Sequence, residues 1–270
     1  MKKIQVLILL ALAFSGTGKD YGKVLDEVVV PLSFPNKIGQ LNSSQIYGGI
    51  TITGYEGKEV IITVHQKQKQ YKIENKHGLK MIPNQSFNLE IGEINNVIEI
   101  KSRPHGGNPP VNLDIKVPYH FNLRLENINN GNTNVNNVSG ELEISNINGS
   151  ITLEGISGSV TADTINGRLK ATFKQVENNA DMAFSCLNHD IDISLPKGTK
   201  ANIKAKTLKG NIYTGFEMAI QDSQIEREST HKNGKNKYGF DQWVKGKING
   251  GGPTYSFSSL NGDIIIREMD

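Results

Sequence analysis

Residues 131–166 read GNTNVNNVS, GELEISNIN, GSITLEGIS and GSVTADTIN, four blocks of nine residues that each open on a glycine, and Gly167 opens a fifth. With each glycine as zero, position +2 holds Thr133, Leu142, Ile151, Val160 and Leu169, and position +4 holds Val135, Ile144, Leu153, Ala162 and Ala171. Polar residues lie between them, as at Glu141, Glu143, Ser150, Thr152, Thr161, Arg168 and Lys170. Such alternation marks a strand with one buried and one wet face. Its return at a fixed interval marks stacked repeats. Position −2, which holds Asn129, Val138, Ile147, Ile156 and Ile165, reads as a further inward site. Ile147, Ile151, Leu153, Ile156 and Val160 are therefore expected inside, with Ser150, Thr152 and Thr161 in solvent.

An odd period would swap the buried face at every repeat unless a bend reset the phase. Asn136-Asn137, Ser145-Asn146, Glu154-Gly155 and Asp163-Thr164 are residue types that suit such a bend. Just before each glycine stand Asn130, Ser139, Asn148, Ser157 and Asn166, giving Asn-Gly or Ser-Gly steps where glycine permits positive φ or close backbone approach. The fold class expected is all-β: a β-helix or β-solenoid of stacked short strands with Asn-Gly corners. The rival is an antiparallel meander, because Asn-Gly between apolar alternations is also a hairpin signal. The constancy of the period favours the solenoid.

The register returns further along. Leu187-Asn188-His189-Asp190-Ile191 puts His189 in the glycine place, Leu208-Lys209-Gly210-Asn211-Ile212 repeats the step, and Leu260-Asn261-Gly262-Asp263-Ile264 closes the chain. Upstream, Tyr47 to Tyr55 and Val60 to Val64 read as two strands around a turn, a first rung. Phe216 to Ile225 and Gln175 to Phe184 are short helical candidates where the repeat is interrupted.

Lys2 and Lys3 precede the apolar run Ile4 to Phe14, followed by Ser15 and Gly16, which are the parts of a secretory leader over 1–18. The run is shorter than the ~20 residues needed to span a bilayer. Residues 19–270 then form a single domain, with a polar loop insertion near 221–239. The expected location is outside the cytoplasm, periplasmic or at the cell surface. With 28 glycines and 36% hydrophobic residues among 270, composition suits many short strands and turns. The net charge of +3 gives no argument for a nucleic-acid or membrane partner. Basic runs around Lys67, Lys69, Lys72, Lys76 and Lys80, and mixed charges over 221–247, read as solvated faces, with an anionic glycan as the lesser reading. Cys186, the single cysteine, cannot form an internal disulfide and reads as a packed corner side chain.

No constellation of catalytic residues, metal ligands or cofactor contacts emerges. The six histidines, His65, His77, His105, His120, His189 and His231, lack ligand spacing. The repeat lacks the recurring aspartate of calcium-binding rolls. Asp190 and Asp192 share one strand face and could mimic a carboxylate pair for sugar chemistry, with His189 and Arg168 nearby. Their alternation with Ile191 and Ile193 fits an ordinary wet face better.

Gly48-Gly49-Ile50-Thr51-Ile52-Thr53-Gly54-Tyr55, the Asn148-Gly149-Ser150-Ile151-Thr152-Leu153 and Ser157-Gly158-Ser159-Val160-Thr161-Ala162 repeats, and the ending from Trp243 through Gly250-Gly251-Gly252 to Leu260-Asn261-Gly262-Asp263-Ile264 resemble the bacterial putative-adhesin family of unknown function, in its Bacteroidetes-type members. The resemblance implies an exported β-helix-like protein and carries over no catalytic residue. Three functions follow as expectations: a non-enzymatic surface protein presenting its face to a glycan or envelope protein, a polysaccharide lyase or hydrolase using Asp190, Asp192, His189 and Arg168, or a structural or regulatory periplasmic component.

Overall fold

The structure, a computed structural model, describes residues 23–66, 75–76, 79–80, 88–103, 110–129, 131–221, 225–232 and 235–270. The segment 1–18, expected to be a leader, lies outside the described residues. So do most of the basic run around Lys67 to Lys72 and part of the insertion near 221–239. The protein is all-β, with no helix among the described residues. Twenty strands join in one sheet, and two short hairpins stand apart from it.

The repeats pair in parallel. Ser139 lies opposite Ser157 and Asn146 opposite Thr164; Ile151 lies opposite Leu169. Each residue thus meets the one 18 positions on, as Asn166 meets Asn148. Two blocks of nine make one circuit, which is how an odd block length is reconciled with a period-two strand: two bends per circuit restore the phase. The pairings exclude hairpins at these Asn-Gly steps.

Two stacks of strands result. In spatial order, the first runs Asn88–Ile94, Val97–Arg103, Gly39–Tyr47, Phe121–Asn129, Ser139–Asn146, the latter part of Ile151–Thr164, Met182–Cys186, Thr254–Ser259, Ala201–Thr207, Val244–Ile248 and Met218–Gln221. The second runs Lys23–Pro31, Glu59–Gln66, Val111–Pro118, Ile50–Tyr55, Thr133–Asn136, the early part of Ile151–Thr164, Leu169–Val176, Ile191–Pro196, Ile264–Met269 and Ile212–Thr214. Spatial order departs from chain order at both ends. The 39–55 segment sits between 97–118 and 121–136, and the C-terminal segment 254–269 sits between 182–196 and 201–214. Outermost strands are antiparallel to their neighbours at three of the four stack ends.

Burial follows the repeat pattern at most positions. Positions +2 and +4 are buried throughout the central block, and Ile151, Leu153, Ile156 and Val160 lie in the core. Ile147 does not: it faces out and is 37% exposed, as is Ile165 at 38%. The reason is the circuit of two unlike bends. Val138 and Ile156 precede the bend that turns inward, whereas Ile147 and Ile165 sit on the opposite corner. Among the described residues the helical candidates hold strands instead: Met218–Gln221 lies within the first, and Leu169–Val176 and Met182–Cys186 overlap the two ends of the second. Ile50–Tyr55 and Glu59–Gln66 do not form a rung together, because Val111–Pro118 lies between them.

Toward the C-terminal end the interior turns aromatic. Phe184 stacks on Phe257 at 5.3 Å and meets Phe173 edge-on at 6.3 Å. Tyr255 is fully buried and its hydroxyl has no hydrogen-bond partner among the described residues. Burial, and then the Asp181 carboxylate, push its pKa up to about 12. A phenol whose pKa is raised on folding contributes stability that is complete below its unfolded value, near 10, and is lost as the pH climbs through about 12. Tyr255→Phe removes both the unpaired hydroxyl and the titration. The expected result is an unchanged or higher melting temperature at pH 7 and a flatter decline between about pH 10 and 12, read by circular dichroism. A lower melting temperature at pH 7 would show that the hydroxyl is satisfied.

Candidate functional surface

One corner of the circuit carries the most ordered chemistry in the molecule, and backbone contact sets its shape. A Cβ on Gly131 would overlap the carbonyl oxygen of Gly48, one on Gly149 that of Gly131, and one on Gly167 that of Gly149. Farther along, Gly262 meets His189 and Gly210 meets Gly262 in the same way, so His189 does stand in the glycine file. None of Gly131, Gly149 and Gly167 has positive φ; closeness of the next rung demands glycine there.

Inward side chains satisfy these crowded carbonyls. Asn146 donates Nδ2 to the Gly131 oxygen at 3.0 Å, Thr164 donates its hydroxyl to Gly149 at 2.9 Å, and Thr207 does the same for Gly262 at 2.9 Å. Cys186 takes the same place, its Sγ donating to Gly167 at 3.2 Å. The thiol is buried, and burial raises its pKa, so it stays protonated as this role requires.

Outward from that file runs a column of aliphatic side chains. Ile46 and Ile128 are half-buried at one end; Ile147, Ile165, Leu187, Leu260 and Leu208 follow in spatial order. The exposed fraction reaches 41% at Leu187 and 71% at Leu208. Beside them the asparagines form a second column. Asn148 donates to Asn129 at 2.7 Å, Asn166 to Asn148 at 2.8 Å, Asn188 to Asn166 at 2.7 Å and Asn261 to Asn188 at 2.9 Å, each through Nδ2 to Oδ1. Tyr47 stands opposite Asn129 in the same register and is 42% exposed. An open groove of about 700 Å³ begins where this corner meets the C-terminal end, among Leu187, Leu260, Leu208, Ile212 and Val244.

The catalytic candidates lie next to this corner and are already engaged. Asp190 accepts the Asp263 backbone N–H at 3.0 Å through one oxygen and pairs with Arg168 at 3.5 Å through the other. Asp192 is gripped by both Arg267 nitrogens, at 2.7 and 3.0 Å, which raises the Arg267 pKa. Asp190 belongs to a run of side-chain oxygens that cap backbone N–H groups on the adjoining rung. Asn132 caps Ser150, Ser150 caps Arg168, and Asp263 caps Asn211. His189 supplies a corner carbonyl, and no third acid joins it: no group of three or more metal-ligating side chains occurs among the described residues. The groove lining includes no carboxylate and no imidazole. At its far side Lys204 and Lys206 lie over the Trp243 ring, at 4.3 and 4.8 Å.

The exposed columns were missed at the level of sequence, although a signal was present. The residue before each glycine alternates between asparagine at 130, 148 and 166 and serine at 139 and 157. That alternation reports a true period of two blocks and separates the two corners.

No family model and no curated protein matches the chain. Among solved structures it is similar to a putative cell adhesion protein from Clostridium sporogenes, at 14% identity and a TM-score of 0.45, over 92% of this chain and all of the other. It is also similar to a putative adhesin from Bacteroides fragilis, at 8% identity and a TM-score of 0.31, and to one from Parabacteroides merdae, at 11% and 0.24. Each comparison covers 92% of this chain and 97% of the other. All three bear the adhesin or cell-adhesion names of the class that the sequence resembles; a likeness of this size bears on neither the partner nor the chemistry of this chain.

Proposed function

We propose that this chain is an exported, non-enzymatic β-solenoid that presents its repeating corner to a glycan or protein partner at the cell envelope. In this reading 1–18 is the leader and 19–270 one domain, with the hairpin of Ile225–Lys232 and Lys235–Gln242 projecting from it. The parallel pairing at 18-residue spacing supports the solenoid. The observation that carries the function is the pairing of chemistries at one corner: aliphatic side chains stay exposed over successive rungs, while Asp190 and Asp192 are spent on a backbone N–H group and on arginines. General acid–base cleavage needs an acid and a base free to exchange protons across one bond. Asp190 and Asp192 are instead structural acceptors.

Incubation of the purified protein with acidic and neutral polysaccharides is expected to release neither new reducing ends nor unsaturated products. Asp190→Asn should loosen the corner and lower the melting temperature without touching any turnover. Product release by the wild type, lost in a well-folded Asp190→Asn or Asp192→Asn variant, would overturn the non-enzymatic reading.

A further inference from the structure

Resting on that reading, we propose that the aliphatic column and the asparagine column together form a binding track for a neutral, extended, β-linked glycan that runs along the stack, across the strands, with Tyr47 as its aromatic contact.

The first argument is periodicity. Rungs follow one another every ~4.8 Å, so the track offers one aliphatic group and one amide at that interval. An extended peptide offers side chains to one face only every ~6.8 Å and falls out of step within a few rungs. The pyranose rings of a β1,4-linked chain repeat at slightly more than the rung spacing, so one ring can address one rung over several successive rungs.

The second argument is chemistry. A pyranose ring has a C–H face and a rim of hydroxyls that both donate and accept. Each interior asparagine, Asn148, Asn166 or Asn188, spends one N–H and one acceptor position on its neighbours. The amide has two donors and two lone pairs, so one of each remains on the solvent side. The aliphatic column beside it receives the C–H face. Among the described residues Tyr47 adds an exposed ring to the file, opposite Asn129, suited to stacking on a sugar.

The third argument is charge. From Ile46 and Tyr47 to Leu260 and Asn261 the two columns contain no charged residue, and Lys209, beside Leu208, is the first cation to follow in the asparagine column. The exposed positions flanking the columns carry both signs, Glu126 and Asp163 on one side and Arg168 on the other, so the track presents no one-signed field to attract a charged polymer. The ligand that fits is uncharged.

The test is titration calorimetry of the full chain with cellohexaose, xylohexaose and mannohexaose, with polygalacturonate as the acidic comparison. The wild type is expected to bind at least one neutral hexasaccharide. Leu187→Glu should weaken that binding about tenfold or more, Leu187→Ser and Tyr47→Ala should weaken it measurably, and Tyr213→Ala, exposed on the other stack, should leave it unchanged. Thermal melts of each variant separate loss of binding from loss of fold. Failure of all three neutral probes to bind the wild type overturns the track. So does binding that is indifferent to folded Leu187→Ser and Tyr47→Ala variants. Binding of polygalacturonate alone also overturns the track while leaving the surface-binding function standing; cleavage of any probe overturns that function instead.

Discussion

A chain ended after Gly252 is expected to yield no soluble folded protein. In a stack laid down in chain order, such a truncation would peel off a peripheral rung. Here the segment 254–269 lies inside the stack: Thr254–Ser259 hydrogen-bonds to Met182–Cys186 on one side and Ala201–Thr207 on the other, and Ile264–Met269 bridges Ile191–Pro196 and Ile212–Thr214. Tyr255, Phe257, Ile264 and Ile266 are all buried, at 0%, 0%, 0% and 1% exposure. At about 1.5–3 kcal/mol for each large buried side chain, their removal costs on the order of 10 kcal/mol before the orphaned strand edges are counted. Whole domains of this kind have about 5–15 kcal/mol to lose. Soluble yield and far-ultraviolet circular dichroism read the outcome; a truncated chain that melts like the full one would show that the segment is peripheral.

The second large effect is expected from Gly149→Ala. The added methyl would overlap the Gly131 carbonyl oxygen and approach Asn146 Nδ2 to 2.8 Å, so both the rung spacing and the side-chain cap of that carbonyl are disturbed. Overpacking against backbone cannot relax by a rotamer change, and a loss of about 3 kcal/mol or more is expected. That corresponds to a fall of roughly 6–12 °C in melting temperature for a domain this size. Gly155 provides the contrast. Its φ of 61° is matched by Asn137, φ 61°, one circuit earlier, and a Cβ there meets side chains rather than backbone, Lys174 at 3.0 Å and Asn137 Oδ1 at 3.8 Å. Gly155→Asn should therefore melt within a few degrees of wild type. Equal sensitivity at Gly149 and Gly155 would show that conformational freedom, rather than contact between rungs, sets the glycine requirement.

What could be read from the residues was local. Alternation at Leu142, Ile144, Ile151 and Leu153 fixes which side of a strand is buried, because that depends on a period of two and nothing else. The side on which Ile147 falls depends on which of two corners it occupies, and hydrophobicity alone does not distinguish an aliphatic residue stacked on its neighbours outside from one packed inside. The insertion of 254–269 between two earlier rungs has no local signature at all, since strand partners far apart in the chain are chosen by the assembled stack. The candidate surface was half legible: the Asn188-His189-Asp190 step was recognised as a corner, but its chemistry was sought in the carboxylates, which turn out to hold backbone.

The interleaved ends also govern the order in which the molecule can form. A simple stack could be completed rung by rung as the chain emerges from a ribosome or a membrane pore. In this protein a slot beside 182–196 stays open until 254–269 arrives, and the 201–214 segment has no stack to rest on before then. Contacts between such distant segments make folding slow and leave unpaired strand edges exposed meanwhile. Arrival of 254–269, rather than the gradual emergence of what precedes it, is thus the event that closes the stack.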